Sequence, residues 1–127
     1  MEQKGAIMNT LQVGFSRVNI TPPLGIPIIG YYKDRFAEGV LDELEINAIA
    51  VACGDEKAVL MSFDHLGLLT PINNDLHASV SRATGLPIEA IYIHSTHTHT
   101  GPMADPSNPD SLNQEYVRTL HRKAADA

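Results

Sequence analysis

Tryptophan is missing from this chain, and tyrosine and phenylalanine together supply only 6% of it. A core must therefore be assembled from Ile, Leu, Val and Ala rather than around large rings. Cysteine occurs once, at Cys53. That excludes a disulfide within the chain and a thiolate metal cluster, and Cys53 reads as a small buried strand residue. Basic residues are scarce, nine against fifteen acidic for a net charge of −6, and the longest basic run is Arg122-Lys123. Such a balance argues against nucleic acid as a partner, because a phosphate backbone needs a basic patch. No run approaches the roughly 18 apolar residues of a membrane span. The opening Met1-Glu2-Gln3-Lys4-Gly5 lacks the apolar centre of a signal peptide. The expected location is cytoplasmic, or secreted if a leader has been removed.

What is present is a single domain's worth of alternating and helical patterns. Residues 1–10 show no periodicity and read as a disordered lead-in, with the domain over 11–127. Leu11, Val13 and Phe15 alternate with Gln12, Gly14 and Ser16, which predicts a half-buried strand. It stops at Thr21-Pro22-Pro23, since proline cannot donate to a sheet ladder. The Asn19-Ile20-Thr21 sequon reads as coincidence in a chain without a secretion signal. Residues 21–40 are rich in Pro and Gly yet carry Leu24, Ile26, Ile28, Ile29, Tyr31 and Tyr32. This predicts an ordered irregular loop with a short extension at Pro27-Ile28-Ile29.

Residues 44–53 and 57–64 predict a hairpin turning at Gly54-Asp55. The apolar residues Ile49 and Val51, opposite Ile46 and Ala48, predict that both faces of its first strand are covered. Thr70 as N-cap and Pro71 at the first position predict a helix over 71–84, closed by Gly85 and Pro87. Its apolar stripe is Ile72, Leu76, Val80 and Ala83, with His77 off the stripe and solvent-facing. A strand over 89–96 follows. Ser111 with Gln114 reads as a capping box for a last helix over 111–125, whose stripe is Leu112, Tyr116, Leu120 and Ala124. His121 beside Arg122 and Lys123 reads as a surface residue. The chain ends inside this helix with no cap and no closing strand, which reads as a truncated domain. The expected fold is α/β: a mixed sheet of about four strands flanked by two helices.

Three of the six histidines fall within one strand end, Ile91-Tyr92-Ile93-His94-Ser95-Thr96-His97-Thr98-His99-Thr100-Gly101-Pro102. On an extended backbone His97 and His99 share a face and His94 points away. A two-residue spacing brings both imidazoles within reach of one metal ion, and neutral imidazole is a common ligand of Zn2+. The other readings of His-x-His are hydrogen bonding inside the loop, proton transfer to a substrate, or incidental surface residues. His94 reads as structural. Asp64 and His65, polar residues at the preceding strand's end, are further site candidates. Asp64 is read as either a catalytic carboxylate or a turn-capping one.

Two stretches together point to a family. Val13-Gly14-Phe15-Ser16-Arg17-Val18-Asn19-Ile20-Thr21-Pro22-Pro23-Leu24-Gly25 resembles the opening of the neutral/alkaline (non-lysosomal) ceramidases. Thr96-His97-Thr98-His99-Thr100-Gly101-Pro102 resembles their Thr-His-Thr-His-Ser-Gly-Pro segment. Glu38-Gly39-Val40-Leu41-Asp42 and Ser62-Phe63-Asp64-His65-Leu66-Gly67 fall between them in the family's order, so the resemblance runs over about residues 11–124.

The resemblance implies a zinc-dependent amidase that cleaves the N-acyl bond of ceramide to sphingosine and a fatty acid. It places a zinc ligand at His97 and an active-site neighbour at His99, with the reverse assignment open. The family's other ligands, a His, a Glu and a Tyr, lie far downstream, beyond this chain. Asn19 stands where the family usually has Asp, Thr100 where it has Ser, and Leu41 where it often has His. Two alternatives therefore stand beside a ceramidase-like hydrolase acting on a lipid-like amide. One is an inactive fragment or metal- or partner-binding module on the same scaffold; the other is a zinc hydrolase of another amide or ester.

Overall fold

The structure, a computed structural model, describes residues 10–102 and 104–127. The lead-in expected over residues 1–10 lies outside the described residues, apart from Thr10. The elements run β1 Leu11–Asn19, β2 Pro27–Ile28, β3 Arg35–Phe36, β4 Glu45–Cys53, β5 Glu56–Phe63, α1 Thr70–Thr84, a 3-10 turn Ile88–Ala90, β6 Ile91–Ser95 and α2 Ser111–Asp126. Four strands form one mixed sheet in the order β1-β4-β5-β6, while β2 and β3 pair separately. β1 with β4 and β4 with β5 are antiparallel. β5 and β6 are parallel, as a strand–helix–strand crossover through α1 requires. The fold expected from the sequence is the fold observed.

Two-residue alternation decides what each strand buries. On the inner face Ile46 and Ala48 of β4, Met61 and Phe63 of β5 and Ile91 of β6 pack against the helices. α1 brings Ile72, Leu76 and Val80, and α2 brings Tyr116, Val117, Leu120 and Ala124. The interior is aliphatic, as a chain without Trp dictates, with Phe63 the largest fully buried side chain.

The outer face departs from expectation. The register lays Phe15, Ile49, Leu60 and Tyr92 in one row across all four strands. All four are exposed, Phe15 to 76% and Tyr92 to 60%. Both faces of β4 were expected to be covered and β1 to be half-buried, yet Leu11, Val13 and Phe15 all lie open on this outer face. Alternation reports that one face is apolar; it does not report which side the helices occupy.

The ends of elements also differ from the simplest sequence rules. α1 starts with Leu69 at the N-cap position and no side-chain cap, so Thr70 is already helical. Gly85 closes it with φ 76, the left-handed geometry that favours glycine. Ala83 lies exposed rather than on the buried stripe. α2 is capped by Asp110, whose carboxylate accepts from the amides of Leu112 at 2.9 Å and Asn113 at 3.1 Å. Gln114 turns back to the carbonyls of Pro106 and Asn108 instead of closing a capping box on Ser111. The segment 88–90 makes a 3-10 turn where strand was expected.

His77 is not solvent-facing. Its ring is half-buried, with Nδ1 2.9 Å from the Asn73 carbonyl and Nε2 3.1 Å from the Ile91 carbonyl, linking α1 to the start of β6. His121 is also half-buried, and its Nδ1 has no hydrogen-bond partner. Asn19 of the sequon is tied down with Thr21: both side chains donate to Glu43, whose carboxyl those bonds, Thr21's first, hold below its usual range. No helix among the described residues is long and apolar enough to cross a membrane.

Candidate active site at the paired strand ends

β5 and β6 run parallel and finish side by side, Phe63 opposite Ser95. Sites in α/β sheets gather where parallel strands end at their carboxyl termini. Past the last ladder pair the two chains stay joined. The Thr96 amide donates to the Phe63 carbonyl and the His97 amide to the His65 carbonyl, both at 2.9 Å. Asp64 clamps this end. Its Oδ2 accepts from the Glu45 amide at 2.9 Å and its Oδ1 from the Thr96 hydroxyl at 3.2 Å. Both oxygens thus hold strand ends together, the arrangement of a capping carboxylate, while the residue also lines the neighbouring cleft.

The strand does not continue through the histidines. It stops at Ser95, and His97 takes φ 66, the left-handed region that L-residues seldom occupy. The expected face-sharing of His97 and His99 is nonetheless replaced by a closer meeting. The two rings lie 5.0 Å apart between centroids and nearly perpendicular, at 83°. His94 stays behind on the outer sheet face, exposed and 5.9 Å from the Tyr92 ring.

Each of the two rings is fixed through the same nitrogen. His97 Nδ1 lies 2.8 Å from the Leu66 carbonyl, and His99 Nδ1 lies 2.8 Å from the Gly30 carbonyl. A carbonyl only accepts, so Nδ1 carries the proton in both rings and Nε2 keeps its lone pair. A backbone carbonyl behind a histidine is the usual way a metal-binding or proton-accepting Nε2 is oriented. His99 also needs Gly30 for room. A Cβ there would come within 2.7 Å of Nδ1, and φ is 119 at this glycine. Among the described residues no three His, Cys, Asp or Glu come together as a metal-holding group. The pair brings two imidazoles together with no third such side chain grouped beside them.

His65, the other sequence candidate, is fully buried away from the pair. Its Nε2 sits 2.8 Å from the Tyr116 hydroxyl, which donates onward to the Ile20 carbonyl at 2.8 Å. Burial pushes the His65 imidazole down to about 4, against the opposing charge of Asp64. The same burial raises the Tyr116 phenol. His65 is therefore a neutral structural ring whose carbonyl steadies His97.

A cleft of about 470 Å3 lies against the same loop, lined by Thr98 and Thr100 and by neither His97 nor His99. Leu24, Ile26, Ile28, Val40, Leu41 and Leu44 form its apolar wall, and Asp42, Asp64, Thr98 and Thr100 its polar one. The loop of residues 21–44 thus faces the histidine loop. Ile29 amide to Gly101 carbonyl, 3.3 Å, and a bridge between Ile28 and Pro102 join the two. Sequence reasoning missed Gly30, Tyr31 and Arg35, which belong to this junction, and the Leu66 carbonyl, which belongs to the loop after β5. The one available signal was a glycine between apolar residues in an ordered loop.

The backbone settles what this arrangement resembles. Neutral ceramidase from Pseudomonas aeruginosa superposes with a TM-score of 0.68 at 16% identity over 92% of this chain and 22% of its own. A second structure, a ceramidase complexed with C2, gives 0.67 at 16% identity over 93% of this chain and 20% of its own. The fold is that of one part of neutral ceramidase. The chain spans about a fifth of the length of these ceramidase structures. No protein-family model matches the sequence, and no curated protein matches it. The likeness is one of the path of the chain.

Proposed function

We propose that this chain forms the first part of the site of a zinc-dependent hydrolase that cleaves an N-acyl amide bond, ceramidase-like in its choice of a lipid-like amide. The observation that supports it most is the matched pair of imidazoles, each with Nδ1–H spent on a backbone carbonyl and Nε2 free. It occurs in a fold shared with ceramidase. This donor set fits a borderline-soft divalent cation. Zinc held there supplies a Lewis acid for the amide carbonyl and lowers the pKa of a bound water to about 7.

The chain's own residues then divide the work. His97 offers Nε2 as ligand, its backbone fixed by the His65 carbonyl and its ring by Leu66. His99, 5.0 Å away between ring centroids, offers its Nε2 lone pair to the proton of the attacking water and passes that proton on to the leaving amine. Asp64 places its carboxylate in the cleft wall while clamping the strand ends. The apolar wall, with a volume of about 470 Å3 in the usual range of small-ligand sites, takes the acyl chain. Of the three loop isoleucines, Ile26 and Ile28 line this cleft and Ile29 only a second cavity. Other amides and esters fit the same chemistry.

A second reading rests on the pair standing without a third grouped donor among the described residues. On that reading the chain alone is a metal- or partner-binding module that hydrolyses nothing, because an incomplete shell binds weakly. Zinc titration of the chain and of His97→Ala and His99→Ala tests the site itself. The expected result is binding that His97→Ala weakens by roughly tenfold or more, with a smaller effect of His99→Ala. Equal zinc uptake by wild type and His97→Ala overturns the assignment.

A further inference from the structure

His99 is held from two sides by one short hairpin. Arg35 lies on β3, paired to β2 through Ile28. Its Nη2 donates to the His99 carbonyl at 2.6 Å and to the Ile29 carbonyl at 3.3 Å. Its guanidinium carbon sits 3.9 Å from the centre of the Tyr31 ring. Tyr31 in turn meets the His99 ring edge-on, centroids 5.8 Å apart. The residue between Ile29 and Tyr31 is Gly30, whose carbonyl takes the His99 Nδ1 proton. One cation therefore fixes the main chain of His99 and the residues on either side of the carbonyl that selects its tautomer.

We propose that Arg35 is a positioning residue for His99. It does not touch the reacting group. It keeps the Gly30 carbonyl on Nδ1, so that the ring stays in the Nδ1–H form and presents Nε2 as a lone pair. An imidazole left to water favours the opposite tautomer, with the proton on Nε2, and that nitrogen then neither binds a metal nor accepts a proton. What Nε2 then does rests on the hydrolase reading above; how the ring is held does not. Arginine suits the task because its flat fork donates to two carbonyls while stacking on a ring. Lysine offers a point charge that cannot lie flat against Tyr31.

The test is imidazole nitrogen NMR on the whole metal-free chain at about pH 8.5, above the ordinary histidine range. Wild type should show His97 and His99 both as the Nδ1–H form. Arg35→Met should move His99 toward the Nε2–H form and leave His97, which leans on Leu66, unchanged. Arg35→Lys should recover part of the shift. A His99 that keeps Nδ1–H in Arg35→Met overturns the proposal, as does a change that appears equally at His97. If circular dichroism shows that Arg35→Met does not fold, Tyr31→Ala replaces it, since Tyr31 is 61% exposed. A smaller shift of His99 in the same direction is then expected, and an unaltered spectrum overturns the idea. Zinc titration of the same samples keeps the two readings apart. A tautomer shift in Arg35→Met beside a wild type that takes up no zinc supports the positioning role and removes the metal.

Discussion

His65 is the residue on which the pH response of the fold turns. Its ring is fully buried, its Nε2 is committed to Tyr116, and its Nδ1 has no hydrogen-bond partner. Burial first, with the Asp64 charge opposing, lowers its pKa to about 4 from 6.5. The folded state therefore keeps the ring neutral, while the unfolded chain accepts a proton below about pH 6.5. Stability contributed by this ring is fully present above the unfolded value. It is lost as pH falls from there toward 4, by roughly 3 kcal/mol in all. Urea midpoints between pH 7 and 4 should show this slope in wild type, added to that of the carboxylates, and a shallower one in His65→Gln. Identical slopes would remove His65 from the account. The sequence named His65 beside Asp64 but gave no sign that it would be sealed inside, since Tyr116 lies 51 residues away.

At the scale of elements, the strands and helices were largely legible because their periods are. The patterns of 44–53 and 57–64 became β4 and β5 within a residue at either end. Boundaries were less so, because several polar side chains compete for the same orphan amides. Ser111 satisfies the capping-box pattern, yet Asp110, one residue earlier, takes the Leu112 and Asn113 amides. Its negative charge also suits the positive end of the helix dipole. Asp110→Ala should lower stability by about 1 kcal/mol, whereas Ser111→Ala should leave it almost unchanged. Thermal unfolding of the two variants decides between the caps, and the reverse order would show that the serine is in use. The histidine pair was legible as a pair but not as a loop. No local pattern announces a left-handed residue at His97, which is held by hydrogen bonds to Leu66 and to the His65 carbonyl.

Taken as a whole, the molecule has one dry side and one wet apolar side. The row Phe15, Ile49, Leu60 and Tyr92, extended by Val13 and Leu11, is larger than the scattered apolar residues of an ordinary surface. Hydrophobic dye should bind the native chain at neutral pH, and Leu60→Lys, in the middle of the row, should reduce that fluorescence by about half or more without lowering the unfolding temperature much. Unchanged fluorescence would locate the dye elsewhere. The site was legible only in its first corner for a related reason. Its chemistry-bearing residues lie close together in sequence, at 97 and 99, but the groups that aim them come from residues 30 and 66. Sequence spacing carries no information about such distant carbonyls.

The chain Ile20–Tyr116–His65 also sets an order in time. The carbonyl of Ile20 and the ring of His65 are made early, and the hydroxyl that joins them arrives 96 residues after the first. During synthesis from the N-terminus, the sheet can pair β1, β4 and β5 while the imidazole still stands in water. Only when α2 lays Tyr116 across the sheet does the ring lose its solvent. Docking of α2 thus takes the His65 imidazole out of water and braces the strand end whose carbonyl receives the His97 amide.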